Sequence, residues 1–220
     1  MNETVLRVRT LLRQKLLLSV VLTGGIFGAY LLLQRNTFFP TTVLQPTGID
    51  RLMPFVPSAV YLYESIWLLF PVAPWLMTSE AELNRYTKGL VSISLVAFAL
   101  FFFFPTAVPR PKGSQEFNYL YATLVQIDRA SNALPSLHCA FAVFHGLCCQ
   151  WVLSSGRWAG KIKWMVWFWV VGIVVSTLLT KQHILLDAAA GIALGIAGYS
   201  VFFRVGRVAP SSTSHSYSPD

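Results

Sequence analysis

The chain has 220 residues, of which 55% are hydrophobic and 12% are charged, and its mean hydropathy is +0.57. Soluble domains carry about 25% charged residues, so the composition excludes an ordinary soluble protein and predicts an integral membrane protein with one compact bundle. The net charge is +8, but the basic residues cluster at the ends of apolar segments, where they set topology or meet anionic headgroups. We therefore expect no nucleic-acid partner.

Apolar segments in chain order predict an all-α fold, a bundle of six membrane-spanning helices. The predicted spans cover about residues 16–33, 57–77, 89–104, 136–153, 164–179 and 184–203. The first segment is longer than the apolar core of a signal peptide and no A-x-A-like cleavage site follows it, so we interpret it as an uncleaved span. Pro71 and Pro74 break the second span, because proline removes a helical hydrogen bond. Gly191, Gly195 and Gly198 in the sixth span predict close packing against a neighbouring helix.

The segments outside the spans set the predicted domain limits. Residues 1–15 form a basic N-terminus on the cytoplasmic side, residues 16–207 form the membrane catalytic domain, and the Ser-rich residues 208–220 form a disordered tail. Residues 35–56 are interpreted as a loop or a short interfacial segment, and residues 105–134 as the longest polar connection. No second domain is expected.

Lys and Arg in the connections predict that both termini lie inside, since inner segments carry the excess of basic residues. The basic residues assigned to the inside are Arg7, Arg9, Arg13, Lys15, Arg85, Lys88, Arg157, Lys161, Lys163, Arg204 and Arg207. This orientation brings three polar segments to the outer face: the loop at Arg110, the start of the fourth span at His138, and the junction of the last two spans at His183. Residues far apart in the sequence therefore meet at one level of the membrane, as an active site requires.

The three cysteines, Cys139, Cys148 and Cys149, lie in one apolar segment without a CxxC pattern or a His/Cys metal spacing. We interpret them as small buried apolar residues rather than as a disulfide framework or a zinc site. His145, alone on an apolar helix, is interpreted as a structural residue of the bundle. No metal and no other cofactor is predicted.

His183 and Asp187 carry the strongest chemical signal. Their i, i+4 spacing places both side chains on one face at the start of the sixth span. Asp187 is expected to accept from one ring nitrogen and to leave the other free to act as nucleophile or base, although it could instead pair with Lys181. His138, at the start of the fourth span, is the candidate general acid. Ionisable residues at membrane depth are costly, so these side chains are functional candidates.

Cationic and N-terminal groups near the histidines predict a site for an oxyanion. Arg110 offers a fork of donors, and Ser136 with backbone N–H groups at the start of the fourth span forms an anion-binding helix end. Lys181 adds a second cation. The combination fits phosphoryl transfer through a phosphohistidine, because positioning and charge stabilisation supply most of the catalysis in such reactions.

These motifs resemble the type 2 phosphatidic acid phosphatase (PAP2) superfamily, which also includes vanadium haloperoxidases. The signature of that superfamily is KxxxxxxRP, then PSxH, then SRxxxxxHxxxD. The matching residues here are Arg110 and Pro111 for the first motif, Pro135, Ser136 and His138 for the second, and Ser176, His183 and Asp187 for the third. The resemblance covers nearly the whole chain, because the layout of six spans also agrees.

Two motif positions depart from the superfamily pattern. Phe103 stands where the first motif has lysine, and Thr177 where the third has arginine. Both departures, together with the segment 128–138, resemble the branch of inositol phosphorylceramide synthases and related sphingolipid headgroup transferases. Lys181 or Lys112 is a candidate to replace a missing phosphate-binding cation.

The resemblance implies a metal-independent membrane enzyme that acts on a lipid phosphate. His183, oriented by Asp187, is expected to attack phosphorus, and His138 to protonate the leaving lipid oxygen. The expected phosphate-binding residues are Arg110, Ser136, Ser176 and Lys181. The candidate substrates are a phosphatidate-like lipid, phosphatidylglycerol phosphate, a polyprenyl diphosphate and a ceramide-linked phosphate.

Two alternatives to lipid phosphate hydrolysis stay open at this point. A headgroup transferase would use a lipid or sugar-alcohol hydroxyl in place of water, and a lipid-binding or transport protein would keep the fold without catalysis. Vanadate-dependent oxidation is disfavoured, because such enzymes are soluble. The expected location is a bacterial inner membrane with the active site on the periplasmic face, and the partners are the bilayer and the lipid substrate. The sequence leaves the oligomeric state open.

Overall fold

The computed structural model describes residues 3–111, 118–153 and 159–204. Its helices are α1 (Glu3–Arg9), α2 (Leu12–Arg35), α3 (Gly48–Leu52), α4 (Val60–Glu64), α5 (Ile66–Leu69), α6 (Val72–Leu76), α7 (Glu80–Phe103), α8 (Tyr119–Ile127), α9 (Leu137–Val152), α10 (Ala159–Leu179) and α11 (Leu185–Tyr199). A 3₁₀ turn (Pro57–Ala59) precedes α4, and a π-helical turn (Ser200–Arg204) follows α11. The strands β1 (Thr42–Val43) and β2 (Thr106–Ala107) pair in parallel. The predicted tail at 208–220 and Lys112 lie outside the described residues.

The long apolar helices identify an integral membrane protein. Within the described ranges, five segments are long and apolar enough to cross a bilayer: Leu12–Arg35, Pro57–Leu76, Glu80–Phe103, Gly160–Leu179 and Leu185–Phe203. The predicted fourth span is α9, which has 16 residues and is shorter than the roughly 20 residues that cross a hydrocarbon core. The sixth crossing and the orientation with both termini inside therefore stay predictions.

Helix α9 forms the centre of the bundle. Its residues Ala140, Ala142, Phe144 and Cys148 have no exposed surface, and α6, α7, α10 and α11 all pack against it. The three cysteines are free and buried, as predicted. A helix in this position is surrounded by protein, so the residues at its first turn can face an enclosed site.

His145 is a satisfied structural residue of α9, as predicted. Its Nε2 accepts from the hydroxyl of Tyr86 at 2.7 Å, and its Nδ1 donates to the carbonyl of Phe141 at 2.6 Å. The ring has no exposed surface. Both nitrogens are thus used within the bundle, as buried polar groups require.

The second span is broken into short pieces, as its prolines predict. Pro71 stands at the start of α6 and Pro74 lies within it, and the segment consists of the separate short helices α4, α5 and α6. The broken segment turns Tyr63 into the protein, where it is 2% exposed. The broken segment therefore places side chains such as Tyr63 in the interior of the protein.

Two predicted connections contain regular structure. Residues 35–56 include β1 and α3, and residues 105–134 include β2 and the nine-residue helix α8. The sequence analysis missed α8 because the helix is short and lies in a segment rich in proline and charge. The side chain of Asn118 accepts from the backbone N–H of Tyr121 at 3.1 Å and so caps its start, and Tyr121 packs in a cluster with Val60 and Tyr63.

The predicted close packing of the last helix is confirmed. A Cβ at Gly191 would lie 2.2 Å from the carbonyl oxygen of Ser136, and one at Gly195 would lie 2.4 Å from that of Ala140. The backbones of α9 and α11 are therefore in direct contact, which only glycine permits here. This contact sets the first turn of α9 beside the first turn of α11.

Candidate active site

His183 and Asp187 form the predicted pair. Nδ1 of His183 donates to Oδ2 of Asp187 at 2.6 Å, while Oδ1 of Asp187 accepts from the backbone N–H of Ile184 at 2.7 Å. Asp187 has no exposed surface, so both carboxylate oxygens are fixed by short bonds. The bond to Nδ1 determines the tautomer of the ring and leaves the lone pair of Nε2 for a substrate.

His183 lies in the turn between α10 and α11 rather than on the first turn of α11. The backbone N–H groups of Gln182 and His183 both donate to the carbonyl of Thr177 at 3.1 Å. Lys181, with a φ of 54°, takes the left-handed conformation that reverses the chain. The turn presents the imidazole beside the N-terminus of α11, where Asp187 can reach it.

His138 occupies the first turn of α9. Its ring stacks on that of Tyr63, with ring centroids 3.8 Å apart and an angle of 14° between the planes. Its Nε2 is buried and has no hydrogen-bond partner, which is costly unless a ligand supplies one. The stacked ring is held in a single orientation, as a proton donor to a substrate must be.

Backbone hydrogen bonds join the two histidine motifs. The N–H of Ser136 donates to the carbonyl of Asp187 at 2.9 Å, and the hydroxyl of Ser136 accepts from the N–H of Cys139 at 3.3 Å as the N-cap of α9. The relative position of His138 and His183 is therefore set by main-chain contacts. Ser136 has no exposed surface and already serves the cap, so its predicted contact with phosphate stays a prediction.

Arg110 lies at the same junction and holds two loops together. Its guanidinium donates to the carbonyls of Asp128 and Arg129 and to Oε1 of Gln182, and it lies 3.9 Å from the carboxylate of Asp128. Its Nε is buried without a partner. The side chain is thus next to the turn that carries His183, and one of its donor groups is unused.

Lys181 is directed away from Asp187 and towards α3. Its ammonium donates to the carbonyls of Asp50 at 2.8 Å and Met53 at 2.6 Å, so it occupies the carbonyl end of that short helix. The alternative pairing of Asp187 with Lys181 is therefore wrong, because Asp187 binds His183 instead. A phosphate contact by Lys181 would have to compete with these two carbonyls.

Ser176, Thr177 and Phe103 complete the predicted motif positions. The hydroxyl of buried Ser176 donates to the carbonyl of Ile173 at 2.6 Å, and that of buried Thr177 donates to the carbonyl of Val174 at 2.7 Å. Phe103 is 55% exposed and packs against other phenylalanines. Neither departure from the superfamily motif therefore places a cation at the site.

Asp50 links α3 to the helix that follows His183. Its Oδ1 accepts from the N–H of Leu185 at 2.8 Å, and its Oδ2 accepts from the N–H and hydroxyl of Thr47. Burial alone would raise the pKa of Asp50, but these hydrogen bonds and the nearby charge of Lys181 lower that pKa below its usual value. No local pattern predicts the link from Asp50 to this helix, because Leu185 and Lys181 lie more than a hundred positions away in the sequence.

The Asp50→Asn variant is expected to lower the free energy of unfolding by about 1–3 kcal/mol at pH 7, because one acceptor oxygen is replaced by a donor that faces another donor. The lowered pKa means that the carboxylate stabilises the fold above its unfolded pKa of about 3.9, and that this contribution is lost as the pH falls through the folded pKa. The difference from the wild-type protein should therefore shrink as the pH falls below about 4. Thermal unfolding of both proteins in detergent between pH 3 and pH 7 measures this difference in stability.

Glu80→Gln is the matched control for Asp50→Asn. Glu80, at the start of α7, is an exposed carboxylate that accepts a hydrogen bond from Gln14 of α2. Exposed contacts of this kind contribute little to the free energy of unfolding. We expect its melting temperature to follow that of the wild-type protein at every pH. A constant difference between Asp50→Asn and wild type down to pH 3 would contradict the role given to Asp50.

A cavity of about 370 Å³ brings the two histidines together. Its polar lining residues include Glu64, Asp128, Asn132, His138 and His183. The remaining wall is largely apolar and comes from α2, α4, α5, α8 and α9, with Ile26, Phe27, Tyr30, Tyr63, Trp67, Phe70, Leu124 and Phe141 among the lining residues. The volume lies in the range of small-molecule sites, and an apolar chamber with convergent polar groups fits an amphiphilic ligand.

Comparison with known families identifies the superfamily of the chain. A family model described as the PAP2 superfamily matches residues 34–201. The chain belongs to the PAP2 superfamily. Comparisons with curated proteins and with solved structures give no match. The range that matches the PAP2 superfamily includes His138, His183 and Asp187, whereas the residues of α2 that line the cavity, such as Ile26 and Tyr30, precede it.

Membership of the PAP2 superfamily indicates a phosphatase or phosphotransferase that acts on lipid phosphates. The PAP2 motifs identified in the sequence, at Arg110, Ser136–His138 and His183–Asp187, all lie around the cavity or its adjoining loops. In the described part of the chain, no group of three or more His, Cys, Asp and Glu side chains has the arrangement of a metal site.

The sequence analysis did not assign roles to several residues of the site. Tyr63 stacks on His138, and Asp128 and Asn132 lie on the polar wall of the cavity. Asp128 and Asn132 belong to the segment whose resemblance to headgroup transferases was noted, so a signal was present. Tyr63 gave no such signal, because only the packing of the broken span brings it to the histidine.

Proposed function

We propose that this PAP2 protein is a membrane lipid phosphatase that works through a phosphohistidine. The observation that carries the proposal is the position of His138 and of the bonded pair His183–Asp187 around one largely apolar cavity. The apolar wall suits acyl or prenyl chains, and the polar part suits a phosphate. An apolar pocket with a few placed polar groups is the usual form of such sites.

The chemistry follows from the tautomer of His183. Its Nε2 attacks phosphorus as the bond between phosphorus and the lipid oxygen breaks, and the lipid leaves with a proton from His138. Water then attacks the phosphohistidine while His138 takes a proton from it, which releases phosphate and regenerates both histidines. Asp187 stabilises the positive charge that develops on His183 during each step.

Arg110 and the start of α9 are the proposed holders of the phosphate oxygens. Arg110 is fixed beside Gln182 and has an unused Nε donor, and the first N–H groups of α9 after Ser136 have no carbonyl one turn earlier within the helix. Ser176 and Lys181 are also proposed phosphate ligands, although their present bonds to carbonyls would have to be exchanged. The negative phosphate beside His138 favours the protonated form of that ring.

Headgroup transfer is the second candidate function, and the side chains at two motif positions favour it. Phe103 and Thr177 replace cations that the PAP2 pattern uses for phosphate. Transfer would share the attack by His183 and would then use a lipid or sugar-alcohol hydroxyl in place of water. This is the reaction of the inositol phosphorylceramide and sphingomyelin synthase type that the motifs resemble.

Radiolabelled lipid substrates separate the two reactions. The purified chain in detergent is incubated with a ³²P-labelled phosphatidate or phosphatidylglycerol phosphate, with and without diacylglycerol or ceramide as acceptor. Release of inorganic phosphate that does not depend on acceptor supports hydrolysis. A labelled phosphate ester of the added acceptor, formed only when that acceptor is present, would replace the proposal by headgroup transfer, and absence of both products would favour a lipid-binding or transport protein.

The proposed location follows from the predicted orientation with both termini inside. We propose a bacterial inner membrane with the cavity near the periplasmic face, because the inner connections carry most of the Lys and Arg residues. Two variants, Ala130→Cys and Lys88→Cys, test this orientation when intact cells are treated with an impermeant maleimide. The proposed orientation requires reaction at residue 130 and protection at residue 88 until the membrane is opened.

A further inference from the structure

The cavity wall carries a buried amide that the proposed reaction does not use. Asn132 lines the cavity and is 2% exposed, yet neither its Nδ2 nor its Oδ1 has a hydrogen-bond partner. An unsatisfied buried polar group is energetically costly. Because His138, which lines the same cavity, also has an unpartnered nitrogen, these polar atoms indicate a ligand that supplies the missing partners.

The backbone holds Asn132 in place before any ligand binds. Its φ of 59° is left-handed, a conformation that asparagine tolerates better than most residues. The following N–H groups of Ala133 and Leu134 donate to the carbonyl and the hydroxyl of Thr106 at 3.2 and 2.9 Å. The carboxamide is therefore presented by a fixed segment, as a residue that selects a substrate should be.

We propose that the Asn132 carboxamide binds an alcohol hydroxyl that lies next to the phosphate of the lipid. A fully ionised phosphate offers only acceptors, which can satisfy Nδ2 but not Oδ1. A hydroxyl beside the phosphate supplies the missing donor to Oδ1. Asn132 is thus a specificity residue for lipids with such a hydroxyl, and this inference rests on the proposed lipid phosphatase function.

The two carboxylates that line the cavity favour an alcohol over a second phosphate. Asp128 and Glu64 line the same cavity, and Asp128 is fixed there by the hydroxyl of Tyr30 at 2.6 Å and by the side chain of Gln34. Carboxylates repel phosphate oxygens but accept readily from hydroxyl groups. A phosphomonoester with a neighbouring hydroxyl fits this wall better than a diphosphate does.

The test compares two lipids that differ by one hydroxyl. Lysophosphatidate has a free hydroxyl next to its phosphate-bearing carbon, and its 2-deoxy analogue lacks it. We expect Asn132→Gly, which keeps the left-handed backbone, to lower kcat/KM about tenfold more for lysophosphatidate than for the deoxy analogue, because only lysophosphatidate also loses the hydroxyl contact to Oδ1, worth roughly 1.4 kcal/mol. The contact between Nδ2 and phosphate is lost for both lipids and cancels in this ratio.

Thr87→Val is the matched control, because the hydroxyl of Thr87 is also buried without a partner but lies on α7, away from the residues that line the cavity. Its kcat/KM should equal that of the wild-type protein for both lipids. Equal losses for both lipids in Asn132→Gly, or no loss for either, would overturn the inference. Adding diacylglycerol identifies the source of the hydroxyl: a loss confined to formation of phosphatidate from the added diacylglycerol assigns Asn132 to the acceptor alcohol rather than to the phosphate-bearing lipid.

Affinity measurements keep this inference separate from the proposed function. The dissociation constants of both lipids are measured by tryptophan fluorescence for the wild-type and Asn132→Gly proteins. If the wild-type protein releases no phosphate but the variant loses more affinity for lysophosphatidate than for the deoxy analogue, hydroxyl recognition holds and the phosphatase function fails. If phosphate is released and the two affinities change equally, the phosphatase function stands and hydroxyl recognition is wrong.

Discussion

Replacement of His183 by asparagine is expected to abolish phosphate release from lipid phosphates, with kcat lowered by about 10⁴-fold or more. Asparagine retains a donor near the position of Nδ1 and can still bind Asp187, but it lacks the Nε2 lone pair that attacks phosphorus. The loss should therefore concern chemistry rather than folding. Release of ³²P-phosphate and the melting temperature in detergent are measured on the same samples. The melting temperature should change little.

Samples quenched in alkaline detergent provide a more specific measurement of the same step. Labelled substrate should leave an acid-labile, base-stable phosphoryl group on the wild-type protein and none on His183→Asn. His145→Gln is the control, because that imidazole is used inside the bundle and lies outside the residues that line the cavity; it should keep the label per folded molecule. Undiminished phosphate release in His183→Asn would remove the proposed nucleophile, and label retained in that variant would assign attack to another residue.

Replacement of Gly191 by alanine is expected to disable the site through the backbone. The added methyl group would lie 2.2 Å from the carbonyl oxygen of Ser136, so α9 and α11 must separate, and His138 moves away from His183 with them. Overpacking of this kind lowers the free energy of unfolding by about 1–3 kcal/mol. A displacement of about 1 Å between reacting groups can cost about 10²-fold in rate, so kcat should fall by at least that factor. Phosphate release and thermal unfolding measure the two effects.

Gly28→Ala supplies the comparison for Gly191→Ala. A Cβ at Gly28 would meet nothing within 4 Å, and alanine in a helix is favoured over glycine by about 1 kcal/mol. We expect its activity and melting temperature to equal or exceed those of the wild-type protein. If Gly191→Ala behaves in the same way as Gly28→Ala, then the contact between α9 and α11 does not set the distance between the histidines.

The features that the sequence predicts well are those with a local physical cause. Runs of apolar residues gave the long helices, and Pro71 with Pro74 gave the breaks in the second span. The i, i+4 spacing gave the bond between His183 and Asp187, which is present at 2.6 Å. Each of these depends on residues within a turn or two of one another, so periodicity and spacing carry the information.

The features that the sequence does not predict depend on contacts between distant segments. Helix α8 is too short for a periodic signal and is stabilised by packing Tyr121 against the broken span. The bonds from Lys181 and Leu185 to Asp50 cross more than a hundred residues. The sequence also does not show whether α9 crosses the membrane. Its 16 residues are apolar because they are buried among other helices, and an apolar composition alone does not distinguish such a helix from a membrane span.

The contact between α9 and α11 separates two properties that evolution can change independently. The spacing of His138 and His183 is fixed by main-chain atoms, through the bond from Ser136 to Asp187 and the bare surface of Gly191. Much of the apolar chamber is instead built by side chains of α2, α5 and α8, none of which forms that spacing. Substitutions on these three helices can therefore retune which lipid tail fits while turnover chemistry stays constant, so one reaction centre can serve a range of membrane lipids.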